Sequence, residues 1–379
     1  MENNDFGVDQ AACRQRQRRL LAAMEQRGLE LVLVLRDESV QWLTGARVGP
    51  LFASAVVLDV EGKVTLVLPS RKLSLSVAAD EVVPYEEKWH STLLDEQRAA
   101  CHESLLAALP VRPQRVGGEW SALGPRLLAQ FGGDIGNGDF ENSIIENIEP
   151  LLFELRRRKD PDELRKMQRA NEANRAMYEH ARQVIEPGIN ELELYSSLHA
   201  VAVRELGEAL TYFGQDFRCN ARGGLPRDRQ AQAGELFILD LGVGFRGYYS
   251  DNARTIAVGG APTKVQQRAW QRLAEVFPLV ESEVRPGASC KALFEQVQAL
   301  LDQNRPWVFN HHLGHGVGLA PHEGPHLNPR WDDHFEVGDY IAVEPGLYHE
   351  ELRCGIRLEE NYRVTDRGVE RLTDYPLEL

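Results

Sequence analysis

Cysteine is scarce and unorganised in this sequence. The five present among 379 residues, Cys13, Cys101, Cys219, Cys290 and Cys354, are odd in number, far apart and never spaced CxxC. That pattern argues against a disulfide framework and against a thiolate zinc site. Positive charge is also short: 43 Lys and Arg stand against 57 Asp and Glu, a net −14, so neither nucleic acid nor an anionic membrane is expected as a partner. No apolar run approaches the roughly 18 residues of a membrane-spanning helix. The opening Met-Glu-Asn-Asn-Asp-Phe has neither the basic nor the apolar part of a secretory leader, so a cytoplasmic location is the expectation. The hydrophobic fraction of 43% is ordinary for a globular chain, and the length suggests two domains.

The first domain, expected over 1–155, reads as a small α/β unit. Gln10 to Gly28 has the pattern of a helix ended by glycine, followed by a buried strand at Leu31 to Leu35. Ser54 to Val60 and Lys63 to Leu68 predict strands around a turn at Glu61-Gly62, and helices follow near Leu93 to Leu109 and Ala122 to Phe131. No cluster of ligand-type side chains occurs there.

The second domain, over 156–379, opens on Asp160-Pro161-Asp162-Glu163. An acid at the cap, proline in the first turn and two more acids against the dipole start a helix that runs to about Val184. Pro187-Gly188 breaks it, and Glu191 to Leu206 predicts the next. Lys264 to Glu283 and Ala288 to Gln303 predict a second helical pair, separated by Pro286-Gly287. Strands lie between the pairs, which gives an α+β arrangement with helices on one side of an antiparallel sheet.

The strands carry acids where apolar residues belong. Leu236 to Leu241 is apolar except for Asp240, a turn is expected at Gly242, Gly244 and Gly247, and Tyr248 to Val258 returns as a strand with Asp251. A carboxylate removed from water is costly unless paired, hydrogen-bonded or metal-bound. Further ligand types follow: His315 between glycines in His-His-Leu-Gly-His-Gly (311–316), Glu344 ahead of Pro-Gly at the end of the strand Tyr340 to Val343, and Arg357 with Glu359 two apart, on one face of a strand. Four carboxylates meeting at one imidazole repel by roughly 4 kcal/mol per pair at about 4 Å with an effective dielectric of about 20. Two divalent cations cancel four charges, so Asp240, Asp251, His315, Glu344 and Glu359 are the expected ligands of a pair of ions.

The ordered set Asp-x-Gly, Ser-Asp-x-x-Arg-Thr, Gly-His-Gly-x-Gly-Leu with a following His-Glu, Glu-Pro-Gly and Arg-x-Glu spans about 120 residues. It resembles the pita-bread metallopeptidases, which include prolidase (Xaa-Pro dipeptidase), aminopeptidase P and methionine aminopeptidase, with metal-free creatinase as a cousin. Lys159-Asp160-Pro161-Asp162-Glu163-Leu164 before a long helix is similar to the start of that catalytic domain. The resemblance implies a C-terminal pita-bread (creatinase/aminopeptidase-like) catalytic domain with a smaller N-terminal α/β creatinase-like domain that forms a homodimer and overhangs the active site. It also implies hydrolysis of the bond between an N-terminal residue and proline, chiefly in Xaa-Pro dipeptides. The expected ions are Mn2+, which suits a carboxylate-rich site, with Zn2+ or Co2+ as alternatives.

Within that resemblance Glu344 is the expected proton shuttle, and His322 and His311 are expected around the substrate, His322 beside the scissile carbonyl. Arg357 is expected to orient a ligand carboxylate, and Tyr248 to line the pocket or fill the core. Glu360 is expected on the surface or behind the ligands, with His312, Glu323 and His326 as local hydrogen-bonding residues. One departure stands out: the histidine usual after Leu-Pro is Arg227 here, after Leu225-Pro226. Arg227 is therefore a candidate for gripping a dipeptide's terminal carboxylate. The alternatives carried forward are an aminopeptidase P acting on longer peptides and a non-catalytic binding protein of the same fold.

Overall fold

The computed structural model describes residues 6–89, 93–109, 113–132, 144–303 and 305–379. Residues 1–5, on which the lack of a leader is partly read, lie outside that set. No helix among the described residues is long and apolar enough to cross a membrane. The chain divides into two compact units, Met1–Arg156 and Arg157–Leu379.

The first unit runs α1 (Gln10–Arg27), β1 (Leu31–Val34), α2 (Asp37–Thr44), β2 (Ala55–Asp59), β3 (Val64–Pro69), β4 (Glu81–Tyr85), α3 (Leu94–Ala107), β5 (Val116–Gly118), α4 (Pro125–Gln130), β6 (Ile145–Asn147) and α5 (Glu149–Arg157). Its strands form one sheet in the order β4-β3-β2-β1-β5-β6. All four residues of β1 are buried, as a continuous apolar run predicts for a strand covered on both faces. Helix α1 stops where glycine takes a left-handed conformation, at Gly28 with φ 65°. Helix α4 starts later than its pattern suggested, because Pro125 supplies its first turn and Trp120–Ala122 forms a separate short turn.

The second unit runs α6 (Pro161–Val184), α7 (Glu191–Leu206), β7 (Tyr212–Cys219), β8 (Leu236–Phe245), β9 (Tyr248–Tyr249), β10 (Asn252–Ala257), α8 (Lys264–Ala274), α9 (Val276–Glu283), α10 (Cys290–Asp302), β11 (Gly314–Gly316), β12 (Glu323–Leu327), β13 (Tyr340–Val343), β14 (Gly346–Leu347), β15 (Ile356–Arg357), β16 (Glu360–Thr365) and β17 (Gly368–Arg371). Strand β8 lies between β7 and β10, and a second antiparallel sheet has the order β12-β11-β13-β16-β17. Helix α6 starts on a reciprocal cap between Asp160 and Glu163 and is tied to β8: Asn174 donates to the Leu241 carbonyl at 2.7 Å and Tyr178 to that of Leu239 at 3.2 Å. Side chains of α8, α9 and α10, among them Leu273, Phe277, Leu293 and Val297, form a core with Ile341, Val343 and Tyr362 of the second sheet.

Three local expectations change. The helix expected over 264–283 is two, because Pro278 has no N–H to return to the Ala274 carbonyl and the first helix ends there. Gly242 and Gly244 continue strand β8 instead of turning. The reversal falls at Arg246-Gly247, both at positive φ (50° and 86°). Arg357 and Glu359 do not share one continuous strand: Arg357 pairs with Gly346 across β14 and β15, and the second sheet resumes only at Glu360.

Candidate metal centre

The acids reach one point because the two sheets are stitched together there. Asp240 sits mid-strand in β8, and Asp251 occupies the break between β9 and β10. Glu344 follows the last residue of β13, with its N–H held by the Leu313 carbonyl at 2.8 Å. Glu359 donates its N–H to the Ala253 carbonyl of β10 at 3.0 Å, while the Asn252 amide holds the Glu359 carbonyl at 2.7 Å. Thr255 Oγ1 accepts the Arg357 N–H at 3.0 Å and donates to its carbonyl at 3.0 Å. His315 lies in β11 between two glycines that cannot carry side chains: a Cβ on Gly314 would collide with the Ala342 carbonyl oxygen, and one on Gly316 with that of Gly324. Close backbone packing thus leaves no room for a side chain on either residue flanking the imidazole.

Ligand atoms of Asp240, Asp251 and Glu359 lie within 4.8 Å of one another, and so do those of Asp251, His315 and His322. Asp251 belongs to both groups, so the two groups adjoin, and Asp251 could serve an ion in either. His315 Nδ1 faces the Gly316 carbonyl at 2.9 Å. That contact makes Nδ1 an N–H and turns Nε2 toward Glu344 at 3.3 Å and Asp251 at 3.7 Å. Burial lowers the His315 pKa, but Glu344 beside Nε2 outweighs it and raises it, so Nε2 favours a proton here and would offer a cation its lone pair. Asp240 Oδ1 and Glu359 Oε1 are also buried without a hydrogen-bond partner. Buried acceptors left this way cost about 1–3 kcal/mol each, more when charged, and cations remove the cost. The residues therefore fit a pair of divalent ions.

The titration behaviour of the acids points the same way. Burial raises the Asp240 carboxyl, Arg357 pulls it down, and Glu344 and Asp216 push it up again, to about 6. Burial, then the neighbouring acids, holds Asp251 and Glu359 well above the usual carboxylate range. Glu344 is also raised by burial, but its contact with His315 outweighs this and brings it to about 2. Asp240, Asp251 and Glu359 are thus pushed toward their neutral forms, and Glu344 is not.

Around it, His322 stacks on His315 with ring centroids 3.7 Å apart. Burial, reinforced by His315, lowers the His322 pKa to about 4. His311 is held between the His312 carbonyl at 2.7 Å and the Tyr348 hydroxyl at 2.9 Å, and burial lowers it to about 4 as well. A cavity of about 290 Å³ is lined by Asp240, Asp251, Glu344, His311, His312 and His322 among others. A second, of about 620 Å³, shares the three histidines and extends past Phe294, Phe309 and Trp331.

Two expected substrate residues are elsewhere. Arg227 is clasped by the fully buried carboxylate of Glu191, with Nε at 3.0 Å, Nη2 at 2.6 Å and its own N–H at 2.8 Å, and it lines neither cavity. Tyr248 is 2% exposed, with its hydroxyl 3.3 Å from Glu163 and Lys166 over its ring, so it is core. Glu360 takes the second of its two expected places, behind the ligands: it is 1% exposed and paired at 3.0 Å with the buried Arg254, which also donates to the Glu359 carbonyl. Three residues join the site without having been singled out for it. His312 Nδ1 lies 3.4 Å from Glu344. Asp216 accepts from Arg357 at 2.7 Å. Arg222 lines the smaller cavity.

A carboxylate cluster with a single buried imidazole, set between two stitched antiparallel sheets, defines a metal-dependent hydrolase of the pita-bread fold. The sequence pattern of metallopeptidase family M24 matches residues 165–366, more than half the chain, and that of the creatinase/prolidase N-terminal domain matches residues 16–140. The chain belongs to metallopeptidase family M24, whose members depend on a dinuclear metal centre. An uncharacterized peptidase of Bacillus subtilis, YqhT, is 27% identical over 271 residues, covering 70% of this chain and 74% of the relative. Among solved structures, the prolidase from Pyrococcus horikoshii has a TM-score of 0.77 at 22% identity, covering 96% of this chain and 99% of its own. The X-Pro aminopeptidase from Thermotoga maritima has 0.76 at 20%, covering 96% and 98%. At such identities the likeness is one of fold.

Proposed function

We propose that this metallopeptidase cleaves the bond between an N-terminal residue and proline, chiefly in Xaa-Pro dipeptides, with two divalent ions, Mn2+ first, held by Asp240, Asp251, His315, Glu344 and Glu359. The observation that carries the reading is the meeting of Asp240, Asp251 and Glu344 with His311, His312 and His322 on one cavity of about 290 Å³. Bound there, divalent ions activate water at neutral pH and polarise the peptide carbonyl. Glu344, 3.3 Å from His315 and 3.4 Å from His312, moves a proton from the attacking water to the leaving nitrogen. His322, kept neutral at pH 7 by its surroundings, donates to the carbonyl oxygen as charge develops on it. His311, fixed by Tyr348, flanks the proline ring. The substrate's free amine sits among the carboxylates, which restricts cleavage to the first bond.

A second reading, release of the first residue from longer X-Pro peptides, is favoured by the adjoining cavity of about 620 Å³, which leaves room beyond the histidines. Hydrolysis of Ala-Pro and Ala-Pro-Ala by Mn2+-loaded protein separates the two. Cleavage of only the longer peptide would reject the dipeptidase reading, and no cleavage of either, with metal bound, would leave a non-catalytic binding protein. Elemental analysis of the purified protein, with activity followed through chelation and reloading, tests the ion.

A further inference from the structure

The first unit carries a cavity of about 740 Å³, lined wholly by its own residues and sharing none with the metal centre. Its place follows from the sheet. Strand β1 leads through α2 to β2 on one side, while its other neighbour, β5, leads on to β6. Because β1 and β5 are parallel, a crevice opens beyond their carboxyl ends, where open α/β sheets take their ligands. Leu35 and Arg36 reach it from β1, and Ser121 and Ala122 from β5. The buried Glu119 ties the two ends together by accepting the N–H groups of Leu35 at 2.6 Å and Arg36 at 2.7 Å.

Three polar side chains on this cavity, Asp37, Arg98 and His102, have no hydrogen-bond partner among the described residues. His102 is only 8% exposed, and its Nδ1 faces Gly124, where a Cβ would stand 3.1 Å away, so glycine keeps that nitrogen open. Burial, reinforced by Arg98, lowers the His102 pKa to about 4. The ring is therefore neutral at pH 7, with one N–H to donate. The protein around Asp37, together with Glu38, raises its carboxyl to about 6 against the pull of Arg98, although the residue is open to the cavity. Arg98 meets the solvated Asp95 only at 3.7 Å, too far for a hydrogen bond. The other two arginines are taken, Arg36 by Glu38 at 2.7 Å and Arg126 by Glu103.

We propose that this cavity binds a free α-amino acid with an apolar side chain. Asp37 takes the ammonium group, Arg98 and the N–H of His102 take the carboxylate, and Phe52, Ala99 and Leu123 receive the side chain. A simple anion would meet Asp37 and a simple cation would meet Arg98, so a ligand carrying both charges suits the pair. The site stands whether or not the metal centre prefers proline.

Calorimetric titration of the full chain with L-leucine tests this, in an Asp240→Asn background that removes a candidate metal ligand and so separates the cavity from the metal centre. The expected result is one L-leucine bound per chain, weakened on the order of 10- to 100-fold when Asp37→Asn or Arg98→Gln is added. Both side chains are exposed, so circular dichroism and melting curves should match those of the background. L-leucinamide and N-acetyl-L-leucine, each lacking one of the two charges, are expected to bind more weakly than L-leucine by a similar factor. Affinity unchanged in either variant, equal binding of L-leucine and its two analogues, or no binding of L-leucine at millimolar concentration would overturn the proposal.

Discussion

Arg357 donates to Asp240 Oδ2 at 2.6 Å while the other oxygen of that carboxylate, Oδ1, is buried with no partner. One half of the group is thus aimed by protein, and the other half is left available to an ion. Groups that orient a ligand in this way are worth roughly 10- to 100-fold in metal affinity. Arg357→Lys is expected to bind Mn2+ about that much more weakly, with activity recovering at high Mn2+, as a metal titration of activity and of bound ion would reveal. Unchanged affinity would remove Arg357 from the centre's support.

Removing a candidate ligand acts on the ion directly. Asp240→Asn and Glu344→Gln are expected to abolish hydrolysis while circular dichroism stays native, with less than two ions per chain by elemental analysis for Asp240→Asn. Wild-type turnover in either variant would take that residue out of the mechanism.

Chelation should lower the melting temperature as well as the activity. A ligand bound only by the folded state stabilises it by about 2.7 kcal/mol at a hundredfold excess over its Kd, and ions bound here would also relieve the orphaned oxygens of Asp240 and Glu359. Thermal melts with and without chelator would check it; coincident curves would argue against any ion in this cluster.

Arg227 is held by Glu191 and lines neither cavity, which predicts a role in stability. Its removal leaves the buried Glu191 carboxylate with fewer donors, a loss of about 1–3 kcal/mol. Arg227→Gln is accordingly expected to melt earlier while the KM for Ala-Pro stays near wild type. A KM effect without loss of stability would restore Arg227 to the site.

In the first unit Glu87 gives a pH signature. Burial alone would raise its carboxyl, but bonds from Ser70 and Arg71 outweigh that and bring it down to about 2, from an ordinary 4.5. A lowered folded-state pKa means stability present above about 4.5 and lost as pH falls through about 2. The melting-temperature gap between wild type and Glu87→Gln should be widest near neutrality and shrink between those values; a constant gap would mean the carboxylate is not the cause.

The candidate ligands were legible in the sequence because each carries its own local contradiction: Asp240 is an acid in an apolar strand, and His315 stands between glycines. Asp216 and Arg222 carried none. Asp216 sits in an unremarkable polar and aromatic alternation and meets the centre only because β7 pairs with β8 in the register that sets it opposite Asp240, which spacing along the chain does not encode. Arg227 and Arg222 lie five positions apart on one loop, and only the position of Glu191, at the start of α7, decides which of them is free. Elements with strong caps, such as α6 and α7, were readable nearly to the residue. The hairpin turn was not, because glycines that serve close packing and a glycine that serves a turn look alike in sequence.

The carbonyl oxygens pressed against Gly314 and Gly316 leave no room for a side chain on either side of the imidazole. A laboratory search for altered selectivity will find the floor of this pocket closed to variation. Altered preferences are then to be sought on the wall of the adjoining cavity, at exposed Trp331, and not beside the imidazole.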